Sequence, residues 1–321
     1  MWYNNYNQGD KSSTTNKHIN KITGKAVIKI SITVTQWLKD GHTAVDKSEG
    51  SVKTTILCSN NTEKIVITSD EAKYIYISWK GVMTDFIAYT PSGSFEFSIP
   101  QGEALRGFEN DVFCKDSSIE VREATDSEIY TYRNLALNPM DFRLSEEVTD
   151  PDAPEWSNPT ESQAVKDGKT ELFPHAYANR VTRNEGCFYA RNAIDGVSTP
   201  GGHGDYPYHS WGGAVHEDLT LMIYFGRNVC IDKIGLCLRS DYNMYEPDKE
   251  HDTYWHTAQI ELSDGYRVEI NPQKLAQTQY FELGEHTTTY LKLSRLDPLQ
   301  HEGSQNFAAL NQIEVWGSDI Q

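Results

Sequence analysis

Alternation of apolar and polar residues with a period of two recurs along this chain, and it constrains the fold more than any other feature. The segment 25–37, KAVIKISITVTQW, alternates in this way and is rich in β-branched residues, as strands are. The same pattern returns before residue 134 in the segments 51–58, 63–68, 73–79, 84–90, 94–99, 118–123 and 128–132. We find no convincing amphipathic helix between these segments. Short strands at this spacing predict an antiparallel β-sandwich.

The C-terminal part carries the same signal, interrupted by one acidic segment. Strand patterns occupy 218–226, 229–240, 258–270, 278–284, 288–296 and 311–317. The segment 141–171 is acidic, holds three prolines and predicts a long loop or insertion. We therefore predict an all-β chain of two β-sandwich domains. The predicted parts are a flexible lead-in (1–20), an N-terminal domain (21–133) and a second domain (134–321) with the insertion at 141–171.

The net charge of the chain disfavours some classes of binding partner. The net charge is −17, and residues 135–321 hold 14 Lys and Arg against 29 Asp and Glu. Such a field disfavours DNA, RNA and anionic membrane surfaces, and it argues against polyanionic sugars. No stretch approaches the 18 apolar residues of a membrane-spanning helix. We therefore expect no nucleic-acid partner and no membrane partner, and the oligomeric state stays open.

The cysteines and the N-terminal segment bear on the compartment. The first 20 residues lack the apolar region of a secretory signal. The five cysteines are odd in number and form no CxxC pair, which fits a reducing compartment. The sequence as given indicates a cytoplasmic protein, and removal of an export signal would make it secreted or cell-surface instead.

The stretch 189–213, YARNAIDGVSTPGGHGDYPYHSWGG, holds the densest chemistry. Asp195-Gly196 favours a tight turn rather than the middle of a strand. A carboxylate in such a turn, followed by the oxygens of Ser198 and Thr199, suits a hard cation. The histidines and tyrosines beyond it suit a sugar-facing rim. A packed surface loop without a ligand is the alternative, and local chemistry favours neither interpretation over the other.

Five motifs in order give residues 134–321 a family resemblance. They are the segments 134–139 (NLALNP), 192–196 (NAIDG), 218–239 (DLTLMIYFGRNVCIDKIGLCLR), 260–265 (IELSDG) and 308–317 (AALNQIEVWG), with Trp211 after the second. Together they resemble the discoidin, or coagulation factor five/eight type C, domains. That family includes many bacterial carbohydrate-binding modules, and the resemblance implies a galactose-binding-like jelly roll. The N-terminal part resembles no family that we can name.

The resemblance also implies a structural calcium ion and a sugar site. Its expected calcium ligands are Asp195, Ser198, Thr199, Glu314 and the carbonyl of Ala308. The sugar site is expected in loops at one end of the sandwich, where aromatic rings stack on a sugar and polar side chains bind its hydroxyls. The predicted ligand-binding residues are His203, Tyr206, Tyr208, His209, Arg239, Tyr242, Tyr245, His251, Tyr254 and Trp255.

These expectations make non-catalytic, calcium-stabilised binding of a neutral glycan the first functional hypothesis. A carbohydrate-active enzyme, a hydrolase or a lyase, is the alternative, because histidines and carboxylates are dense in the segments 203–216 and 248–256. Against it, the sequence contains no HExxH, GxSxG or phosphate-loop motif. A protein-interaction or adhesion module is the second alternative. We also expect Trp255→Ala to weaken binding with little loss of stability.

Overall fold

The computed structural model describes residues 31–41, 43–49, 54–58, 61–141, 172–213, 218–240, 254–298 and 307–320. These residues are organised in antiparallel sheets, which confirms the predicted all-β class. The lead-in at 1–20 and nearly all of the predicted insertion lie outside the described residues. Within the described part, none of the helices has the length and apolar character that a membrane crossing needs.

The N-terminal part is a sandwich of two four-stranded sheets. Its strands are β1 (Ser31–Leu38), β2 (Thr43–Glu49), β3 (Thr54–Cys58), β4 (Thr62–Ser69), β5 (Lys73–Trp79), β6 (Phe86–Thr90), β7 (Gly93–Ser98) and β8 (Ser117–Glu123). One sheet has the order β2-β1-β4-β7 and the other β3-β8-β5-β6. Alternate residues such as Val34, Ile65, Ile75 and Trp79 meet between the sheets in one apolar core. The period-two patterns therefore predicted the buried face of each sheet.

The prediction of a strand at 128–132 is wrong. Its first residues belong instead to a short helix, α1 (Asp126–Ile129). The side chain of Thr125 accepts a hydrogen bond from the backbone of Glu128, and the Glu128 carboxylate accepts one from the backbone N–H of Thr125. This reciprocal pair is a capping box, which starts a helix because it satisfies backbone N–H groups that the helix leaves free.

The C-terminal part forms one seven-stranded sheet that folds over on itself. Its strands are β9 (Arg133–Asn134), β10 (His175–Ala178), β11 (Leu221–Leu238), β12 (Trp255–Leu262), β13 (Arg267–Ile270), β14 (Gln279–Pro298) and β15 (Leu310–Asp319). The order is β13-β12-β14-β11-β15-β9, and β10 also pairs with β11.

The two long strands, β11 and β14, run through both layers of this sheet. The register of β11 against β14 breaks between Tyr224 and Val229. Before the break β11 pairs with β10, and after it with β15. Both parts of β11 contribute to one core, with Ile223 before the break and Ile234 after it. The C-terminal part is thus a β-sandwich joined by bent strands, as the predicted jelly roll requires.

Gly226 allows β11 to bend. Its φ is +67°, a conformation that L side chains rarely adopt. A Cβ at this position would also lie 2.5 Å from the ring of Phe173. The two strands predicted at 218–226 and 229–240 are therefore one strand with a bend, and not two strands separated by a turn.

The two sandwiches meet through a shared carboxylate and a β-bridge. Asp319 accepts hydrogen bonds from Tyr74 (3.0 Å), Arg227 (2.5 Å) and Arg133 (2.5 Å). Tyr89 of β6 forms an isolated antiparallel bridge with Phe173. Burial alone would raise the pKa of Asp319, but the hydrogen bonds and charges of Arg227 and Arg133 outweigh it and lower that pKa. The predicted boundary at 133/134 stays a prediction.

Candidate functional site

The central stretch folds into short helical turns that buried side-chain amides hold in place. Asn192 is fully buried, and its Nδ2 donates to the carbonyls of Gly186 (3.0 Å) and Ser210 (3.1 Å). Asn311 of β15 donates to the carbonyl of His209 (3.0 Å). Gly186 has no room for a side chain, since a Cβ there would lie 1.6 Å from the carbonyl oxygen of Glu103. These contacts fix the loop against both β15 and the N-terminal sandwich.

Asp195 is a buried acceptor in this loop. Its Oδ2 lies 2.6 Å from Nε2 of His209 and 3.5 Å from the guanidinium of Arg191, and its Oδ1 accepts from the backbone of Val197 (2.9 Å). Arg191 also donates to the carbonyls of Pro139 and Asp141 and to Asn192. Burial lowers the pKa of Arg191, against the opposing charges of Asp195 and Asp141. Asp195 therefore forms a turn, as predicted, and its partners are nitrogen donors.

The donor set around Asp195 does not fit calcium. Calcium takes six to eight oxygen ligands, whereas three N–H donors already surround this carboxylate. The closing-strand residue that meets the turn is Gln312, whose Oε1 accepts from the backbone of Gly196 (3.0 Å). An amide and a buried guanidinium thus stand where the resemblance implies a cation. Calcium at this turn stays a prediction of that resemblance.

The other predicted calcium ligands make separate contacts. Ser198 Oγ donates to the thiol of Cys237 (3.0 Å), and the carbonyl of Thr199 accepts from Asn311 (3.3 Å). Glu314 accepts from Tyr280 (3.0 Å) and from the indole of Trp316 (2.7 Å). Ala308 lines a pocket described below. The described contacts do not join these oxygens into one shell.

A pocket of about 240 Å³ lies at the loop end of the C-terminal sandwich. Backbone and small side chains close part of its wall, and aromatic, imidazole and guanidinium groups supply the rest. The lining residues are Thr182, Arg183, Phe188, His203, Gly212, Arg239, Phe307, Ala308 and Ala309. We call this cavity the loop-end pocket.

Arg239 and Arg183 give the loop-end pocket its polar character. Arg239 follows β11 directly, its backbone donates to the carbonyl of Ala309 (2.9 Å), and its guanidinium donates to the carbonyl of Phe307. Arg183 pairs with both oxygens of Glu185 (2.5 and 3.1 Å) and lies 5.6 Å from the ring of Phe188. The hydrogen bond from Arg183 lowers the pKa of Glu185. Both side chains are therefore held in position before any ligand arrives.

Two of the predicted ligand-binding residues, His203 and Arg239, line the loop-end pocket. Tyr206 and Tyr208 are exposed, with the ring of Tyr206 stacked on His209 at 5.6 Å and that of Tyr208 against Gly202. Tyr254 is half-buried and packs against the core. Tyr242, Tyr245 and His251 lie outside the described residues.

Two predicted ligand contacts need correction, because the structure buries them. Trp255 is in the hydrophobic core, with its ring 5.6 Å from that of Trp211. His209 is fully buried beside Asp195. Neither ring lines the loop-end pocket. Both residues act on the site only through the packing of the loop.

The sequence did not single out Thr182, Arg183, Phe188 or Phe307 as site residues. Arg183 and Asn184 have φ values of +51° and +50°, in the left-handed region that non-glycine residues seldom adopt. No hydrophobic period or motif in the segment 182–188 predicts this left-handed backbone conformation. The neighbouring buried polar pair Asn311 and Gln312 did carry a signal, since polar residues in a buried strand need partners.

Comparison with known proteins gives structural similarity and no sequence match. No family model matches the chain, and no curated protein matches it. Among solved structures, a chitosan-binding module from Paenibacillus sp. IK-5 is 14% identical, with a TM-score of 0.34 over 58% of this chain and 100% of the module. The family 32 carbohydrate-binding module of Clostridium perfringens NanJ, in complex with galactose, is 14% identical, with a TM-score of 0.31 over 44% of this chain and 91% of the module.

A fucose-binding module from Streptococcus pneumoniae is 15% identical, with a TM-score of 0.32 over 44% of this chain and 93% of that module. These three solved structures are carbohydrate-binding modules.

Proposed function

We propose that this protein binds a neutral glycan, non-catalytically, in the loop-end pocket. The observation that carries the proposal is the composition of that pocket, in which Phe188, Phe307, His203 and Arg239 converge on one cavity. Aromatic rings offer apolar surface to the C–H face of a sugar, and fixed polar side chains offer hydrogen bonds to its hydroxyls.

The size of the pocket sets the size of the ligand. Pockets for drug-sized ligands measure about 300–1,000 Å³. At about 240 Å³ the loop-end pocket is smaller. We therefore infer recognition of a single sugar ring, such as the end of a glycan, rather than of several consecutive rings.

Charge favours a neutral sugar. Glu185 takes the charge of Arg183, and the net charge of the chain is −17. A uronic or sialic acid would approach against that long-range field. The described lining residues include no Asp or Glu, and hydrolysis of a glycosidic bond ordinarily uses a pair of carboxylates. These two features support neutral binding over hydrolysis.

The test is titration calorimetry of the full chain with galactose and with fucose, the sugars named for two of the solved modules. His203→Ala and Phe307→Ala should each weaken binding about tenfold or more, since each removes part of a desolvated contact surface. Tyr280→Ala is the matched control, because Tyr280 is 53% exposed and does not line the pocket. Unchanged affinity in both pocket variants, with melting temperatures preserved, would place the site elsewhere.

A further inference from the structure

A second, larger cavity lies where the N-terminal sandwich meets the start of the C-terminal part. Its volume is about 570 Å³, within the range of ligand pockets. Tyr76 of β5 and Ile87 of β6 pair across these strands and form its floor. Ser127, Thr131, Asn134 and Leu137 contribute to its walls. We call it the junction pocket, and nothing in the loop-end pocket depends on it.

The junction pocket lies at one end of the sheet face formed by the β5–β6 strand pair, and the C-terminal sandwich covers the other end of that face. Along the same strand pair, Tyr74 and Tyr89 are also paired, and the guanidinium of Arg227 lies 5.1 and 5.4 Å from their rings. That end of the sheet face is covered by the C-terminal sandwich. Around Tyr76 and Ile87 the C-terminal sandwich no longer covers the sheet, and these residues line the pocket, with the guanidinium of Arg122 4.1 Å from the centre of the Tyr76 ring.

One carboxylate in the junction pocket lacks a cationic partner among the described residues. Asp85 Oδ2 accepts from the hydroxyl of Tyr76 (2.6 Å), and no described Lys, Arg or His pairs with Asp85. The other charged lining groups are neutralised, because Glu128 pairs with Arg122 (2.6 Å) and Arg133 with Asp319 (2.5 Å). Asp85 is exposed to solvent, so the pocket presents a hydrated carboxylate beside the ring of Tyr76.

A hydrogen-bond donor completes the polar groups of the pocket. Asn134 Oδ1 accepts from the backbone of Ala136 (3.0 Å) and of Val315 (2.9 Å). These bonds fix the amide, and its Nδ2 has no partner among the described residues. The pocket thus combines a free carboxylate oxygen, a fixed amide donor and an apolar floor.

We propose that the junction pocket binds an amino sugar that carries a free ammonium group. The ammonium pairs with Asp85, the C–H face of the sugar ring packs on Tyr76 and Ile87, and a hydroxyl accepts from Asn134. A net charge of −17 attracts a cationic glycan over a long range and repels an anionic one. The two pockets then differ in their acidic groups, since the described lining of the loop-end pocket includes no Asp or Glu and Asp85 lines the junction pocket.

The experiment is calorimetry of the full chain with a glucosamine tetramer and with its N-acetylated counterpart, at low ionic strength and about pH 6, where the amine is protonated. We expect the ammonium form to bind about two- to fivefold more tightly than the acetylated form, as an exposed ion pair allows. Asp85→Asn should remove that preference while keeping the shape of the side chain and its acceptor for Tyr76. The preference should also shrink as salt is added.

Two controls separate the site from the general field of the protein. Asp116→Asn removes the same charge from an exposed position outside the pocket and should leave the preference intact. His203→Ala should also leave it intact, so failure of the loop-end proposal and failure of this one are distinguishable. Equal binding of both tetramers, binding of neither, or equal effects of Asp85→Asn and Asp116→Asn would overturn the junction-pocket proposal.

Discussion

Arg191 and Asp195 form an ion pair at 3.5 Å, with side chains only 5% and 3% exposed. Breaking a buried pair by removing one partner costs about 3–5 kcal/mol, because the remaining charge is left in a poorly solvating interior. Asp195 also holds His209, and Arg191 holds three backbone or amide acceptors. The pair thus fixes the loop that leads into the loop-end pocket.

Arg191→Met should therefore lower the free energy of unfolding by about 3–5 kcal/mol, as measured by denaturant titration. Arg183→Met is the matched control, since the Arg183 side chain is 59% exposed. Surface substitutions usually change stability by no more than about 0.5 kcal/mol. Similar losses in the two variants would show that Arg191 is not a stabilising partner of Asp195.

Calcium should not raise the melting temperature through Asp195, in contrast to what the family resemblance implies. The reason is the nitrogen-donor environment of Asp195 and the position of Gln312 at the turn. The measurement is thermal unfolding with added calcium and with a chelator. A rise in melting temperature with calcium that Asp195→Asn abolishes would favour the calcium site and contradict this expectation.

The carboxylate shared between the two sandwiches should make stability depend on pH. The pKa of Asp319 is lowered in the folded state, so its stabilisation is complete above the unfolded value of about 3.9 and is lost as pH falls through the folded pKa. Asp319→Asn should cost about 3 kcal/mol near neutral pH, and its difference from the unaltered protein should shrink below about pH 4. Unfolding by urea at several pH values tests this, with Asp116→Asn as the control. A difference independent of pH would remove the ion pair as the cause.

The bend in β11 offers a test of backbone strain against packing. Gly226→Ala combines a φ of +67° with a Cβ 2.5 Å from the Phe173 ring, whereas Gly265→Ala has a φ of +90° and no neighbour within 4 Å. The left-handed conformation costs roughly 1–2 kcal/mol for a residue with a Cβ. Gly265→Ala should lose about that amount, and Gly226→Ala should lose about 1–3 kcal/mol more through overpacking. Equal losses in a denaturant titration would mean that the contact with Phe173 relaxes freely.

The strands could be predicted from the sequence because burial of one face of each sheet imposes an alternation of apolar and polar residues with a period of two. In β5 the buried residues Ile75 and Ile77 alternate with the more exposed Tyr74 and Tyr76, as the pattern predicts. The failure at 128–132 has a local cause, since the Thr125–Glu128 capping box favours a helix over the alternation that follows it.

The sequence predicted only part of the candidate site, because the geometry of the site depends on contacts between residues that are distant in sequence. Trp255 stands beside a polar stretch in sequence, yet the pairing of β12 turns it into the core beside Trp211. Trp255→Ala should therefore cost stability rather than affinity, the reverse of what sequence proximity indicated. Asp195 was correctly placed in a turn, but its partner His209 and its neighbour Gln312 reach it only through the fold.

The shared carboxylate of Asp319 also bears on what limited proteolysis would do. A cut anywhere within 142–171 leaves Tyr74 and Arg133 on one fragment, and Asp319 and Arg227 on the other. The Tyr89–Phe173 bridge joins the same two pieces. A chain cut in this segment would therefore elute as one complex in size-exclusion chromatography under native conditions, and its two fragments would separate only in denaturant.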